Sequence, residues 1–262
     1  MTSILHKLEP LYRHFPEIKP PERHVSLKEK FMWIGLVLIL FLLMGQIAPL
    51  GAAPAGESQL GVIQVVFASQ LGTLMSVGIG PIVTASIILQ LLVGAKMINL
   101  DMQNPEDRGV FQGTQKLLTI LIAIFEAYAF VSVGAIPITS PGDPGLMLFV
   151  TLQIAFASIL LMFLDEIISK WGIGSGIGLF IAAGVSQAIV VQALSFVPTG
   201  GGQFAGIIPN FLAQLAAGSL NIVLLWPVLM TILVFLAVVY FESLKIEIPL
   251  SYGRFGVGAR YP

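Results

Sequence analysis

Charged residues are absent from three long stretches of this chain: Phe31 to Gly56, Ser58 to Ala95 and Trp171 to Phe241. A membrane-spanning helix needs about 20 consecutive, predominantly apolar residues. Each of the first two stretches can hold one such span, and the third can hold two with the loop between them. Of the 262 residues, 10% are charged and 56% hydrophobic, and the mean hydropathy is +0.92. Soluble domains carry about 25% charged residues. So few charges cannot cover a soluble surface, which excludes a water-soluble globular enzyme. The alternating pattern of an outer-membrane barrel is also missing. The sequence therefore predicts an all-α, polytopic membrane helical bundle.

Other classes fall away on composition. A net charge of −1 supplies no global positive field for nucleic acid. With no cysteine, disulfides, thiolate metal sites and cysteine nucleophiles are excluded. All three histidines lie at or before His24, so the spans hold no Ser/His dyad and no His-ligated metal. Gly174-Ser175-Gly176 resembles half a serine-nucleophile motif, but Ile173 stands where the motif needs Gly. No phosphate-binding loop of the G-x-x-x-x-G-K-[ST] type occurs. No enzyme and no cofactor are expected. The first apolar run begins only at Phe31 and lacks an A-x-A site, unlike a cleavable signal peptide.

Six spans are predicted, at about 31–49, 72–95, 114–136, 145–165, 175–195 and 220–242. Ser26-Leu27-Lys28-Glu29 has the form of a capping box that launches the first. Lys7, Arg13, Lys19, Arg23, Lys28 and Lys30 precede span one. Lys96 and Arg108 fall between spans two and three with Lys116 at the start of span three, Lys170 between four and five, and Lys245, Arg254 and Arg260 after span six. All thirteen cations thus share one side, which the positive-inside rule makes the cytoplasm. The expected localisation is the cytoplasmic membrane, with the N-terminus inside. Arg260-Tyr261-Pro262 reads as the start of another element, and the sequence is expected to be part of a longer polypeptide.

Three features within the spans carry functional content. Leu60 to Phe67 is apolar but too short to span, so a short helix or re-entrant piece is expected there, surrounded by protein or water. Glu126 is a carboxylate inside a span, where insertion costs about 2.5–3.5 kcal/mol. It is open to two readings: an ion-coupling or gate residue, or a structural hydrogen bond to a neighbouring helix. Two glycine-rich segments, Gly78–Thr84 and Gly172–Ile181, complete the set. Gly174 and Gly178 have GxxxG spacing, which suits close helix packing, and Pro81 should kink span two or mark its restart. Ile79/Val83 and Ile177/Ile181 are each four apart, so each pair shares a helix face. Such faces could pack in a core, face lipid, or form a dry collar at mid-membrane.

At these residues the chain resembles the SecY family, the large subunit of the protein-conducting translocation channel, and most of all its archaeal branch. The matching motifs are Gly72-Thr73-Leu74, Gly78-Ile79-Gly80-Pro81-Ile82-Val83-Thr84, Gln90-Leu91-Leu92-Val93-Gly94 and Phe111-Gln112-Gly113 with Gln115-Lys116-Leu117-Leu118. Asp165-Glu166, Lys170, Gly172-Ile173-Gly174-Ser175-Gly176-Ile177-Gly178, Ile248-Pro249-Leu250 and Arg254 follow in family order.

The resemblance implies six of the family's ten spans. Residues 1–30 would be a cytoplasmic segment, 31–195 the first half of the channel, and 196–218 an external hinge loop. Residues 219–242 would be span six and 243–262 the start of a ribosome-docking loop. The pore ring would take Ile79, Val83, Ile177 and Ile181 from this chain. A non-spanning plug at about 56–69 would include Gly61, Val62, Ile63, Val65 and Val66. Thr84 and Glu126 match lateral-gate positions, and Arg254 matches the ribosome-docking surface. Gln70 stands where some archaeal relatives have Arg, so a charge pairing there is not carried over. Implied partners are SecE, the small Sec-beta subunit, the ribosome, the signal recognition particle receptor, nascent secretory and membrane proteins, and the lipid bilayer. The competing class is a secondary transporter, with a broken helix at Gly78–Pro81 and Glu126 as its coupling carboxylate.

Overall fold

Helix starts in this chain are written in short polar signals, and the computed structural model follows them. It describes residues 16–53, 72–140, 142–200, 203–218, 221–244, 248–250 and 259–261. The plug positions Gly61, Val62, Ile63, Val65 and Val66, together with Gln70 and Arg254, lie outside the described residues.

Helix α1 is Leu27–Met44. The expected capping box is present: the Ser26 hydroxyl accepts the Glu29 N–H, and the Glu29 carboxylate accepts the Ser26 N–H. Helix α2 is Gly80–Gly94, with Pro81 in its first turn. It starts later than the expected 72, because residues 72–79 form turns in which Thr73 accepts from Met75 and Ser76. Pro81 therefore starts this helix and does not kink it, since its missing N–H is harmless only in a first turn.

Helix α3, Pro105–Ser132, and helix α4, Pro144–Trp171, are each 28 residues long. Asn104 caps the first by accepting the Glu106 N–H at 3.1 Å, and Asp143 caps the second by accepting the Gly145 N–H at 2.9 Å. At 1.5 Å per residue each is about 42 Å long, more than the ~30 Å hydrocarbon core. Helix α3 outruns the predicted span at its start, where the Asn104 cap and not the apolar run sets the boundary, and α4 does so at its end, continuing to Trp171. Helix α5 is Gly176–Leu194.

A two-stranded hairpin follows, β1 (Pro198–Gly200) and β2 (Gln203–Phe204), then helix α6, Ile207–Ala216. That helix lies in the segment expected to be a plain loop. A 3₁₀ turn, Ile222–Leu225, leads into helix α7, Trp226–Glu242. Strands β3 (Ile248–Leu250) and β4 (Ala259–Tyr261) pair antiparallel, with Pro249 opposite Arg260. Among the described residues, four helical segments are long and apolar enough to cross a membrane: α3, α4, α5 and Ile222–Glu242. Of the other two predicted spans, α1 carries Lys28, Glu29 and Lys30 in its first turn, and α2 has 15 residues.

The chain divides into two compact units, Met1–Gln187 and Ala188–Pro262, with the boundary inside α5. In the first unit α4 is central. It packs on both α1 and α3, and α2 packs on α3. Leu161, Met162 and Ile168 of α4 join Val37 and Phe41 of α1, Ile79, Ile82 and Phe180 in one apolar cluster. Val150, Ile154 and Ala155 join Ala127, Val131 and Ile136 in another. In the second unit, Gly206 donates to the Ser195 carbonyl at 2.9 Å, tying the start of α6 to the end of α5. No residue of α7 is buried.

Gln153, in the middle of the apolar α4, makes a reciprocal pair with the backbone of Leu50. Its Oε1 accepts the Leu50 N–H and its Nε2 donates to the Leu50 carbonyl, both at 3.0 Å. Gln153→Leu removes both bonds to the exposed Leu50 backbone, at about 0.5–1.5 kcal/mol each. The expected result is a lower thermal midpoint in detergent with unchanged helix content by circular dichroism.

Candidate pore and gate

The turn between α4 and α5 places the first ring candidates. Gly174 has φ +79°, a conformation that L side chains rarely adopt. At Gly176 a Cβ would sit 2.5 Å from the Asp165 Oδ1 and 2.7 Å from its Cα. The chain thus returns tightly onto the end of α4. Among the described residues nothing lies within 4 Å of where a Cβ of Gly174 or Gly178 would go. Conformation at Gly174 and close approach at Gly176 each call for glycine.

Helix α5 then carries Ile177 and Ile181 against the cluster that also takes Ile79 and Val83. The structure therefore brings both sequence pairs to one apolar neighbourhood. Ile79 is fully buried, while Val83, Ile177 and Ile181 are half-buried. Between the α5 pair, Phe180 is fully buried and stacks on Phe41 of α1, with ring centroids 5.1 Å apart. Such a pair adds roughly 0.5–1.5 kcal/mol beyond its area.

Thr84 and Glu126 are half-buried, on α2 and α3, two helices that pack together. Glu126 has no hydrogen-bond or ion-pair partner among the described residues. The reading in which it hydrogen-bonds a neighbouring helix is thus not realised among them. Beside Glu126, Ala123 and Ala127 are fully buried.

The acidic pair at the end of α4, Asp165 and Glu166, is connected to other parts of the chain. Asp165 Oδ1 accepts the Ile177 N–H at 2.9 Å. Glu166 lies between two ammonium groups, Lys116 of α3 at 2.9 Å and Lys170 at 2.8 Å, and its side chain is 11% exposed. Lys170 also donates to Glu17 Oε1 at 3.1 Å and to the Ile18 carbonyl. Trp171 Nε1 donates to the Lys19 carbonyl at 3.1 Å, and its ring lies 5.7 Å from that of Trp33. The segment before α1 is therefore strapped to the end of α4. The ion pairs border an open cleft of about 280 Å³, lined also by Gln112, Gln115 and Ser169. The only sequence signal for this network was the clustering of Asp165, Glu166 and Lys170; their partners are distant in the chain.

A family model described as SecY matches residues 73–262. The protein translocase subunit SecY of Methanocaldococcus jannaschii is 48% identical over 98% of this chain and 56% of its own length. That of Methanothermobacter thermautotrophicus is 44% identical over 100% and 59%. The chain belongs to the SecY family. It spans just over half the length of these curated SecY relatives. A solved structure named "The structure of a protein conducting channel" superposes with a TM-score of 0.78 at 46% identity, over 97% of this chain and 57% of that one. Sec61 in the canine ribosome-channel complex gives 0.77 at 46% identity, over 95% and 56%. The SecY fold is thus shared over nearly the whole chain, and its apolar helices are those of a multi-pass membrane protein. The secondary-transporter alternative finds no support in these comparisons. Among the described residues Gly78–Pro81 leads from turns into the start of α2.

Two outcomes follow from the charged network. Glu166→Ala leaves Lys116 and Lys170 without their shared carboxylate, a change expected to cost about 3 kcal/mol. A Lys116→Ala/Glu166→Ala double variant should recover part of that loss, and thermal denaturation of Glu166→Ala, Lys116→Ala and the double variant measures the coupling. The second outcome concerns pH. Lys170, donating to it, holds the Glu17 carboxyl below its ordinary value. A lowered carboxyl contributes fully above its unfolded value and loses that contribution as pH falls through its folded one. The strap should therefore become cleavable by protease within residues 16–26 on acidification, and Glu17→Gln should remove the pH dependence. Glu17 is mostly exposed, so the change is expected to be small and salt-sensitive.

Proposed function

We propose that this chain supplies the first half and the sixth span of a protein-conducting channel. Such a channel moves secretory polypeptides across the cytoplasmic membrane and inserts membrane proteins into it. The observation that carries the reading is the meeting of Ile79/Val83 and Ile177/Ile181 in one apolar cluster. Around a passing chain, branched apolar side chains offer no hydrogen bonds, so a varied polypeptide slides without sticking. The same constriction excludes water and ions.

In this reading Thr84 and Glu126 belong to the lateral gate. A hydrophobic signal segment leaves sideways into lipid, driven by roughly 25 cal/mol per Å² of apolar surface removed from water. Gly61, Val62, Ile63, Val65 and Val66 belong to a plug at about 56–69 that closes the resting funnel. Arg254 docks the ribosome from the loop at 243–262, and 196–218 is the external hinge after the half at 31–195. The N-terminal segment 1–30 is cytoplasmic, on the side of all thirteen cations. SecE, the small Sec-beta subunit, the signal recognition particle receptor and ribosomes with nascent chains are the partners. The channel supplies no chemical energy, so synthesis or another partner pushes.

Photo-crosslinking tests this directly. A photoreactive residue in place of Ile181 should capture a stalled secretory chain, and the adduct should disappear when the signal sequence is removed. Capture of lipid alone would overturn the ring assignment. In planar bilayers, Ile177→Gly/Ile181→Gly and deletion of 56–69 should each raise the resting ion leak. A tight resting channel in either case would remove the corresponding assignment.

A further inference from the structure

An α-helix leaves its first N–H groups without internal partners. In α5 the first bond of the helical ladder is donated by Leu179 to the Ser175 carbonyl. The N–H groups before it need other acceptors, and for Ile177 a side chain supplies one. Asp165 Oδ1 accepts the Ile177 N–H at 2.9 Å. This cap comes from a different helix, twelve residues earlier. It is reached because Gly176 has no Cβ; an added one would strike both the carboxylate and the backbone of Asp165.

We propose that Asp165 is the positioning residue of the pore ring. Accepting the Ile177 N–H fixes the depth and rotation at which α5 begins. Because Ile181 lies one turn later on the same face, both ring side chains inherit that setting. Phe180 holds the same turns from the side by stacking on Phe41. That contact is apolar and tolerates a small rotation or slide, whereas a hydrogen bond to one N–H does not. Glu166, next in sequence and held by Lys116 and Lys170, keeps the end of α4 from turning Asp165 away. The proposal rests on Ile177 and Ile181 being ring residues.

The test is the resting ion conductance of the complete channel in planar bilayers, with membrane insertion verified for each variant. Asp165→Ala should raise the leak roughly fivefold, the shift in equilibrium that one lost N-cap produces. Asp165→Asn keeps a capping oxygen and should remain near wild type. Gly176→Ala attacks the same contact from the other side and should leak like Asp165→Ala. Ile181→Gly is the control for the ring itself. If Ile181→Gly leaks while Asp165→Ala stays tight, or while Asp165→Asn leaks as much as Asp165→Ala, the positioning role falls and the ring stands. If Ile181→Gly is also tight, the ring reading falls and the positioning role with it. Should Asp165→Ala fail to insert, Gly176→Ala decides alone, and a tight channel there overturns the proposal.

Discussion

The first unit is held together by the polar side chains of one otherwise apolar helix. Along α4, Gln153 grips the backbone of Leu50, Asp165 receives the start of α5, and Glu166 pairs with Lys116 of α3. Lys170 and Trp171 hold the strap before α1. Apolar packing brings helices together but leaves their depth and rotation soft. Each of these hydrogen bonds fixes one such freedom. Register among the helices therefore depends on a few polar atoms of α4.

Much of the architecture was legible in the sequence, for a simple reason. Charges are costly in lipid, so charge-free runs mark where helices can span. The Ser26/Glu29 box was legible because its two reciprocal bonds are local. Helix ends were harder. Asn104-Pro105 and Asp143-Pro144 start α3 and α4, but hydropathy alone begins the third span at 114. Residues 72–79 are as apolar as a helix yet form turns, because nothing in hydropathy separates a buried turn from a buried helix.

The ring pairs were legible as faces but not as neighbours. Spacing puts Ile79 with Val83 and Ile177 with Ile181; only the fold puts the two pairs in one cluster. The part played by Asp165 was hidden for the same reason. An acidic pair at the end of a helix reads as an interfacial charge until the turn after Gly172 brings Ile177 back to it.

The Gln153–Leu50 pair has a consequence for synthesis. Its partners are 103 residues apart in the chain. At ~5–20 residues per second, Leu50 leaves the ribosome roughly 5–20 s before Gln153 does. During that interval the stretch after α1 lacks this partner for its N–H and carbonyl. A nascent chain in that state must be sheltered by water at the membrane surface or by another protein. The insertion of α4 ends the exposure, so the assembly of this membrane protein has an order imposed by one glutamine.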